Sequence, residues 1–171
     1  TQLDQLTKAA FTFKGDGGGC SHPVVNRDLI GRDASVLAEV AGLSVPKSCG
    51  MLYAETDADN LFVVEEQMMP MIPVIPVESV DQGIELAKVA EHGYKHSSMI
   101  HSLNVINMTK MVRALESTLF VKNGACVAGL GSGGEGYASF SIATTTGEGI
   151  TTPDTFTRKR RCVMVDSLSM I

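Results

Sequence analysis

Residues 129–136, GLGSGGEG, form the densest glycine cluster of the chain. Gly129, Gly131 and Gly134 match the spacing G-x-G-x-x-G, and Gly133 stands directly before the third of them. In dinucleotide-binding proteins this spacing lets backbone N–H groups approach a pyrophosphate closely. The cluster is therefore the first candidate for a ligand-binding loop.

A pyrophosphate site also needs a preceding strand, a helix that begins at the third glycine, and an acidic residue about 20 positions further on. A strand is predicted at 118–123, and Asp154, which follows Gly134 by 20 positions, is a candidate for the acidic residue. The helix is missing, because 137–149, YASFSIATTTGEG, has no helical periodicity. Without a helix N-terminus, the dipole and free N–H groups that bind the anion are absent. We predict that the loop lines a site and does not hold a pyrophosphate.

The cysteines are Cys20, Cys49, Cys126 and Cys162. None of them forms a C-x-x-C pair, which excludes a zinc ribbon and a thioredoxin motif. Cys20 precedes Ser21 and His22, but sequence neighbours seldom reach the geometry of a nucleophile and its base. Cys126 lies near the glycine cluster, where it is either a ligand contact or a small buried hydrophobe. We interpret Cys162 as a packing residue.

Other polar residues offer weaker candidates. His96 and His101 flank a predicted strand without the spacing of metal ligands, so we predict no metal site. Glu65 and Glu66 are neighbours on an extended segment and point to opposite sides, so they do not share a proton.

The bulk composition narrows the class of protein. The 171 residues fit one domain, and 44% hydrophobic content indicates a globular chain. The net charge is −5, and the only basic cluster, 158–161, is too short to indicate nucleic-acid binding. No apolar run is long enough to span a bilayer, so we predict no membrane partner. Unpaired cysteines favour a reducing cytosol.

Alternating strands and helices are predicted to position these residues. The predicted strands are 50–56, 71–77, 97–102 and 118–124, and the predicted helices are 33–42, 79–93 and 104–116. Residues 1–11 also show helical spacing, whereas glycine and proline predict a loop at 14–28. Helical crossovers make such strands parallel, so we predict an α/β fold with a three-layer parallel sheet. Residues 155–165 are predicted to form an extended strand at an edge or a subunit boundary.

Five segments in order resemble the CoA-acylating aldehyde dehydrogenases, in particular the propionaldehyde and acetaldehyde dehydrogenases of bacterial propanediol and ethanolamine microcompartments. The segments are FVVEEQMMPMIPVIPV, HSSMIHSLNV, TLFVKNG, AGLGSGGEG and ATTTGEGITTPDTFTRKRRCV. The resemblance implies that a cysteine thiolate attacks a short-chain aldehyde, a hydride passes to NAD, and the acyl group is transferred to coenzyme A. It also implies a location in the cytoplasm or the microcompartment lumen.

The resemblance further implies a division of the chain. Residues 1–150 correspond to the C-terminal part of the catalytic domain, and 151–171 to an oligomerisation strand and tail. The nucleophilic cysteine and the cofactor domain lie upstream of the matched part. This chain is therefore expected to be a fragment that is inactive alone and forms homo-oligomers through 155–165.

Few site residues carry over from the family. Glu66 falls on the glutamate that binds the nicotinamide ribose hydroxyls, and Met68 falls where the wider superfamily has an aromatic residue beside the nicotinamide. Alternatively, Met68, Met69 and Met71 all fill the core. Asn123 ends a strand that borders the active-site mouth, and Gly129, Gly131, Gly133 and Gly134 line the acyl or CoA side. His96 and His101 are candidates for hydrogen bonds near CoA.

Two other hypotheses come from different classes. The chain is also compatible with a self-associating α/β module without activity, whose C-terminal strand pairs with another copy. A third hypothesis is a stand-alone thiol enzyme that uses Cys20 or Cys126.

Overall fold

The computed structural model describes residues 1–13, 23–136, 141–142, 149–163 and 165. The chain forms two compact units, Thr1–Leu86 and Ala87–Ile171. Each unit contains a pair of parallel strands connected through helical segments, so the predicted α/β fold is confirmed. Within the described ranges, no helix combines the length and the apolar character needed to cross a membrane.

The first unit begins with helix α1 (Gln2–Ala10), as the helical spacing predicted. The helix ends at Phe11, where the backbone becomes extended and enters strand β1 (Phe11–Phe13). Strand β2 (Pro23–Val25) pairs with β1 antiparallel, with Phe11 opposite Val25. The loop predicted over 14–28 is therefore wrong at 23–25, where three consecutive residues join a ladder despite the proline.

Helix α2 (Ala34–Val40) confirms the helix predicted over 33–42. Asp33 occupies the N-cap position, but its side chain makes no capping hydrogen bond, and its backbone carbonyl accepts from Val36 and Leu37. Gly42 follows the helix with φ +73°, the left-handed conformation expected of a helix stop.

Strands β3 (Leu52–Glu55) and β4 (Met71–Val74) run parallel, with Leu52 opposite Met71 and Glu55 opposite Val74. The short helix α3 (Leu61–Val64) lies between them in sequence and was not predicted. Asn60 caps it, because its side-chain oxygen accepts from Phe62 N at 3.0 Å. Pro73 lies within β4, and in the described part of the chain β4 pairs only with β3, which suits a residue without an N–H donor.

The core of the first unit is built from one face of each element. Its buried members are Leu6, Ala10, Phe11, Leu29, Leu37, Ala41, Phe62, Met69 and Met71. Phe11 and Phe62 meet edge to face, with ring centroids 5.0 Å apart. This geometry is favourable for the ring quadrupoles and ties β1 to α3.

Helix α4 (Val80–Ala90) begins close to the predicted capping box. Ser79 Oγ accepts from Gln82 N at 3.2 Å, as predicted. The Gln82 side chain accepts from Glu78 N at 2.9 Å, one residue before the position that a standard capping box uses.

The second unit contains strand β5 (Ser97–Ile100), helix α5 (Val105–Leu115) and strand β6 (Leu119–Lys122). Strands β5 and β6 are parallel, with Ser97 opposite Leu119 and Ile100 opposite Lys122. Asn104 caps α5 as predicted, because its Oδ1 accepts from Ile106 N and Asn107 N.

After β6 the chain forms a 3-10 helix at Cys126–Leu130, and a second one at Pro153–Phe156. The second 3-10 helix includes Thr155 and Phe156, so the extended strand predicted at 155–165 is wrong at its start, where Pro153 favours a helical turn. Residues 157–163 are exposed, and in the described part of the chain they join no strand. Their role in oligomerisation stays a prediction.

Candidate functional site

The segment that carries Glu66 and Met68 leaves α3 in an extended conformation at Glu65. Gln67 organises this segment, because its Oε1 accepts from Met69 N at 2.7 Å and its Nε2 donates to Met71 O at 3.4 Å. Glu66 is exposed, whereas its neighbour Glu65 is partly buried. The two carboxylates therefore have different environments, as the alternation of an extended chain predicts.

Met68 has a left-handed backbone with φ +48°. For a non-glycine residue this conformation costs about 1–2 kcal/mol. A hydrogen bond from Gly31 N to Met68 O at 3.2 Å helps to hold it. Met68 is 67% exposed, whereas Met69 and Met71 are 8% and 3% exposed. The interpretation of the methionines as core residues is confirmed for Met69 and Met71 and is wrong for Met68.

Asn123 lies at the carboxyl end of β6, where its backbone is left-handed with φ +55°. Its Oδ1 accepts from Ser102 N at 2.8 Å, and its Nδ2 donates to Ser102 O at 3.1 Å. Ser102 Oγ in turn accepts from Asn104 N at 3.0 Å. Asn123 therefore clamps the β5–α5 loop beside the cap of α5. Both the oxygen and the nitrogen of its side-chain amide are hydrogen-bonded to the backbone of Ser102.

The glycine cluster folds back on itself after β6. Gly129 belongs to the 3-10 helix, and a Cβ there would lie 2.7 Å from Leu119 Cδ2. Gly131 and Gly133 have left-handed backbones, with φ +91° and +80°. A Cβ on Gly134 would lie 2.9 Å from Ala128 O, and one on Gly136 would collide with Gly129 O. The glycines therefore permit a tight turn, and no helix follows in the described residues 131–136, 141–142 and 149–152.

The remaining candidate thiols and imidazoles have different surroundings. Burial raises the pKa of the Cys126 thiol, which disfavours the thiolate that a nucleophile requires. His96 Nδ1 lies 2.7 Å from Ser97 Oγ, and His101 is exposed. Cys20, Ser21 and His22 lie outside the described residues. In the described part of the chain, no three His, Cys, Asp or Glu side chains are arranged to hold a metal ion.

The predicted residues thus fall into two groups. Asn123 and the cluster glycines meet at the carboxyl end of β6, the end at which α/β sheets place their ligands. Glu66 and Met68 lie together in the first unit, on the segment between α3 and β4. Gln67 was missed, because an amide that folds a turn by pairing with nearby backbone leaves no periodic signal in the sequence.

Comparison with known proteins gives consistent matches. The chain is 47% identical over 147 residues to an acetaldehyde dehydrogenase (acetylating), EutE, of Salmonella typhimurium, covering 86% of this chain and 32% of the relative. It is 44% identical over 146 residues to a propanal dehydrogenase (CoA-propanoylating) of the same organism, covering 85% and 32%. No protein-family model matches the chain.

Solved structures show the same similarity. A propionaldehyde dehydrogenase of Rhodopseudomonas palustris with bound propionyl-CoA is 41% identical, with a TM-score of 0.82 over 95% of this chain and 34% of that one. A propionaldehyde dehydrogenase from the fucose utilisation microcompartment of Clostridium phytofermentans is 38% identical, with a TM-score of 0.83 over 99% and 37%. The resemblance to CoA-acylating aldehyde dehydrogenases is confirmed, and the chain spans about a third of the length of these curated relatives.

Proposed function

We propose that this chain forms the C-terminal part of the catalytic domain of a CoA-acylating aldehyde dehydrogenase. In sequence and fold it matches about a third of the length of such enzymes. The observation that carries the proposal is 47% identity over 147 residues to an acetylating acetaldehyde dehydrogenase. Residues 1–150 then belong to the catalytic domain, and 151–171 form an oligomerisation strand and tail. The nucleophilic cysteine and the cofactor domain belong to a longer protein.

The proposed reaction converts a short-chain aldehyde, NAD and coenzyme A to acyl-CoA and NADH through a cysteine thioester. NAD, when bound, supplies the acceptor for the hydride. The residues of this chain contribute binding and positioning. The raised pKa of the Cys126 thiol supports placing the nucleophile elsewhere in the protein.

Glu66 is proposed to bind the nicotinamide ribose. A carboxylate has acceptor sites for both hydroxyls of a diol, and the Glu66 side chain is exposed on its extended segment. Met68 is also exposed, and its left-handed backbone is held by Gly31. Strained residues of this kind concentrate at ligand sites, which supports a contact between Met68 and the nicotinamide.

Asn123 and the glycine cluster are proposed to form the acyl or CoA side of the site. The clamp on Ser102 makes Asn123 a positioning residue for the β5–α5 loop. The tight turn at 129–136 leaves backbone without side chains at the end of a parallel strand, where a ligand can approach closely.

The first test uses the purified chain with propionaldehyde, coenzyme A and NAD, and follows NADH formation. The chain alone is expected to form no NADH, whereas a longer protein that contains it is expected to form NADH. Turnover by the chain alone would contradict the proposal and direct attention to Cys20 and Cys126.

The second test addresses Glu66 in the longer protein. Glu66→Gln is expected to weaken NAD binding about tenfold, the loss of one charge-assisted hydrogen bond, and to raise the KM for NAD more than it lowers kcat. Glu65→Gln is the matched control, because Glu65 is the partly buried neighbour. NAD binding is measured directly by calorimetry. Equal effects of the two variants would rule out the assignment of Glu66.

Self-association is the second function that a specific observation favours. Residues 157–163 are exposed and join no strand in the described part of the chain, so their backbone groups are open to pairing with another copy. We expect dimers or larger assemblies through 155–165. Light scattering checks this, and a monomer at high concentration would contradict it.

Localisation in a microcompartment is proposed from one relative. The Clostridium phytofermentans enzyme comes from a fucose utilisation microcompartment. A fluorescent fusion of the longer protein is expected to form puncta only in cells that express shell proteins. Diffuse cytoplasmic fluorescence in those cells would contradict this localisation.

A further inference from the structure

The parallel pair β3–β4 presents an exposed apolar face, called the outer face below. In the register of the two strands, Tyr53 lies opposite Ile72, and Glu55 lies opposite Val74. Tyr53 is 77% exposed, Ile72 45% and Val74 44%. The other face of the pair carries Met71, which belongs to the core. Parallel strands are normally covered on both faces, so the outer face is a candidate interface.

Acidic residues adjoin the carboxyl end of the outer face. Glu55 is the last residue of β3, and Asp57 and Asp59 follow it within the next four positions; all three are exposed. Between residues 48 and 87 the sequence contains eight Asp and Glu residues and no Lys, Arg or His. A surface of one charge sign attracts a partner of the opposite sign. A segment that covers the outer face should therefore be apolar in one half and basic in the other.

Residues 158–165 of the same chain have this composition. The first four, RKRR, are all exposed. Val163 and Val165 in the second half are 75% and 79% exposed. In an extended conformation each half would span about 13 Å, which equals the length of a four-residue strand such as β3. The segment is therefore complementary to the outer face and its acidic end in charge, in apolar character and in length.

We propose that the segment 158–165 of one copy docks on the outer face of a second copy. Its two valines pack against Tyr53 and Ile72, and its basic half lies against the acids at the end of β3. Because the basic half comes first in the sequence, the docked segment runs antiparallel to β3. This docking rests on the self-association proposed above and names the surface that receives the segment.

An exchange of charge between two variants tests the docking. The segment variant combines Arg160→Glu with Arg161→Glu, and the face variant combines Glu55→Lys with Asp57→Lys. Each variant alone is expected to associate at least tenfold more weakly than the unchanged chain in analytical ultracentrifugation, because like charges then meet. An equimolar mixture of the two variants is expected to regain association, because both docking contacts in the mixed dimer join opposite charges.

The matched control combines Asp28→Lys with Glu39→Lys. It changes the net charge as much as the face variant does, at two exposed acids outside the outer face, and is expected to associate like the unchanged chain. If the unchanged chain associates but the mixture does not, or if the control is as weak as the face variant, the docking is overturned and self-association stands. A monomeric unchanged chain overturns both. NADH formation by the longer protein is measured separately and depends on neither result.

Nitration by tetranitromethane reports on the outer face directly. Tyr53 is expected to react at least fivefold more slowly where the chain is associated than where it is diluted to monomers, because docking covers its ring. Tyr94, which is 72% exposed in the second unit, is the internal control and is expected to react equally under both conditions. An unchanged rate at Tyr53, or an equal decrease at both tyrosines, overturns the docking.

Discussion

At the scale of single residues, left-handed backbone marks two of the predicted non-glycine site positions, Met68 and Asn123. The described non-glycine residues with positive φ are Met68, His92, Lys95, Glu116 and Asn123. Asparagine adopts this conformation readily, whereas methionine does so only where surrounding contacts impose it. The left-handed backbone of Asn123 is therefore favoured by the residue type itself. The left-handed backbone of Met68 depends instead on the hydrogen bonds that Gln67 and Gly31 make around it.

The Asn123 clamp gives a prediction at this scale. Asn123→Gly keeps the left-handed backbone but removes both hydrogen bonds to Ser102. We expect the Ser102 amide proton to exchange about tenfold faster, which corresponds to about 1.4 kcal/mol. Asn123→Ala should add about 1–2 kcal/mol of backbone strain, measured by urea unfolding. Unchanged protection of Ser102 in both variants would exclude the clamp.

The Cys126 thiol gives a prediction on pH. Its raised pKa means that the thiol stays protonated at neutral pH, so alkylation by iodoacetamide at pH 7.5 should be slower than at the exposed Cys162. The alkylation rate at Cys126 should increase only at pH values above the ordinary thiol pKa of about 8.5. The stability gained from the neutral thiol is complete below the unfolded pKa and is lost as pH rises through the folded one. Mass spectrometry of the labelled peptides measures both rates, and equal rates at pH 7.5 would contradict this environment.

At the scale of elements, the glycine cluster shows how a loop can match a nucleotide-binding motif without its structure. The match at Gly129, Gly131 and Gly134 follows a strand, but the chain enters a 3-10 helix before the second glycine and turns back. Close contact between Gly136 and Gly129 O replaces the long helix that a pyrophosphate would need.

The cluster gives a prediction that separates two reasons for glycine. Gly133 has φ +80° but open space around a Cβ, so Gly133→Ala should cost about 1–2 kcal/mol of backbone strain. Gly136→Ala would place its Cβ in collision with the backbone oxygen of Gly129, so the turn itself must open. We expect limited proteolysis within 129–136 to accelerate in Gly136→Ala much more than in Gly133→Ala. Similar cleavage of both variants would mean that the turn is not closed by this contact.

At the scale of the whole molecule, each unit has its own parallel strand pair, and the first unit has a well-defined core. Leu37 is fully buried in that core, at the point where α2 packs against α1. The core positions the 65–70 segment, because Phe62 and Met71 on either side of this segment belong to the core.

Core packing gives the prediction at this scale. Leu37→Ala is expected to reduce the free energy of unfolding by about 2–5 kcal/mol, because it leaves a cavity. Val40→Ala on the same helix is the matched control. Val40 is 37% exposed, so its loss should cost less than about 1 kcal/mol. Denaturant unfolding followed by circular dichroism measures both, and similar costs would contradict this core.

Hydrophobic periodicity, caps and turn residues by themselves determined most of the described elements and their parallel pairing. Asn104 and Gly42 specify where α5 begins and where α2 ends, through local hydrogen bonds and backbone freedom. The resemblance to acylating aldehyde dehydrogenases was likewise contained in five short segments of sequence.

The tertiary structure alone decided features that depend on distant partners. The antiparallel β1–β2 pair and the Asn123 clamp join residues that are 10 to 21 positions apart in the sequence. Local patterns cannot specify such contacts, because they arise only when packing brings separate elements together. Met69 and Met71 are buried whereas Met68 is exposed, because the backbone turns at the left-handed Met68. Three identical side chains give no local signal for this difference.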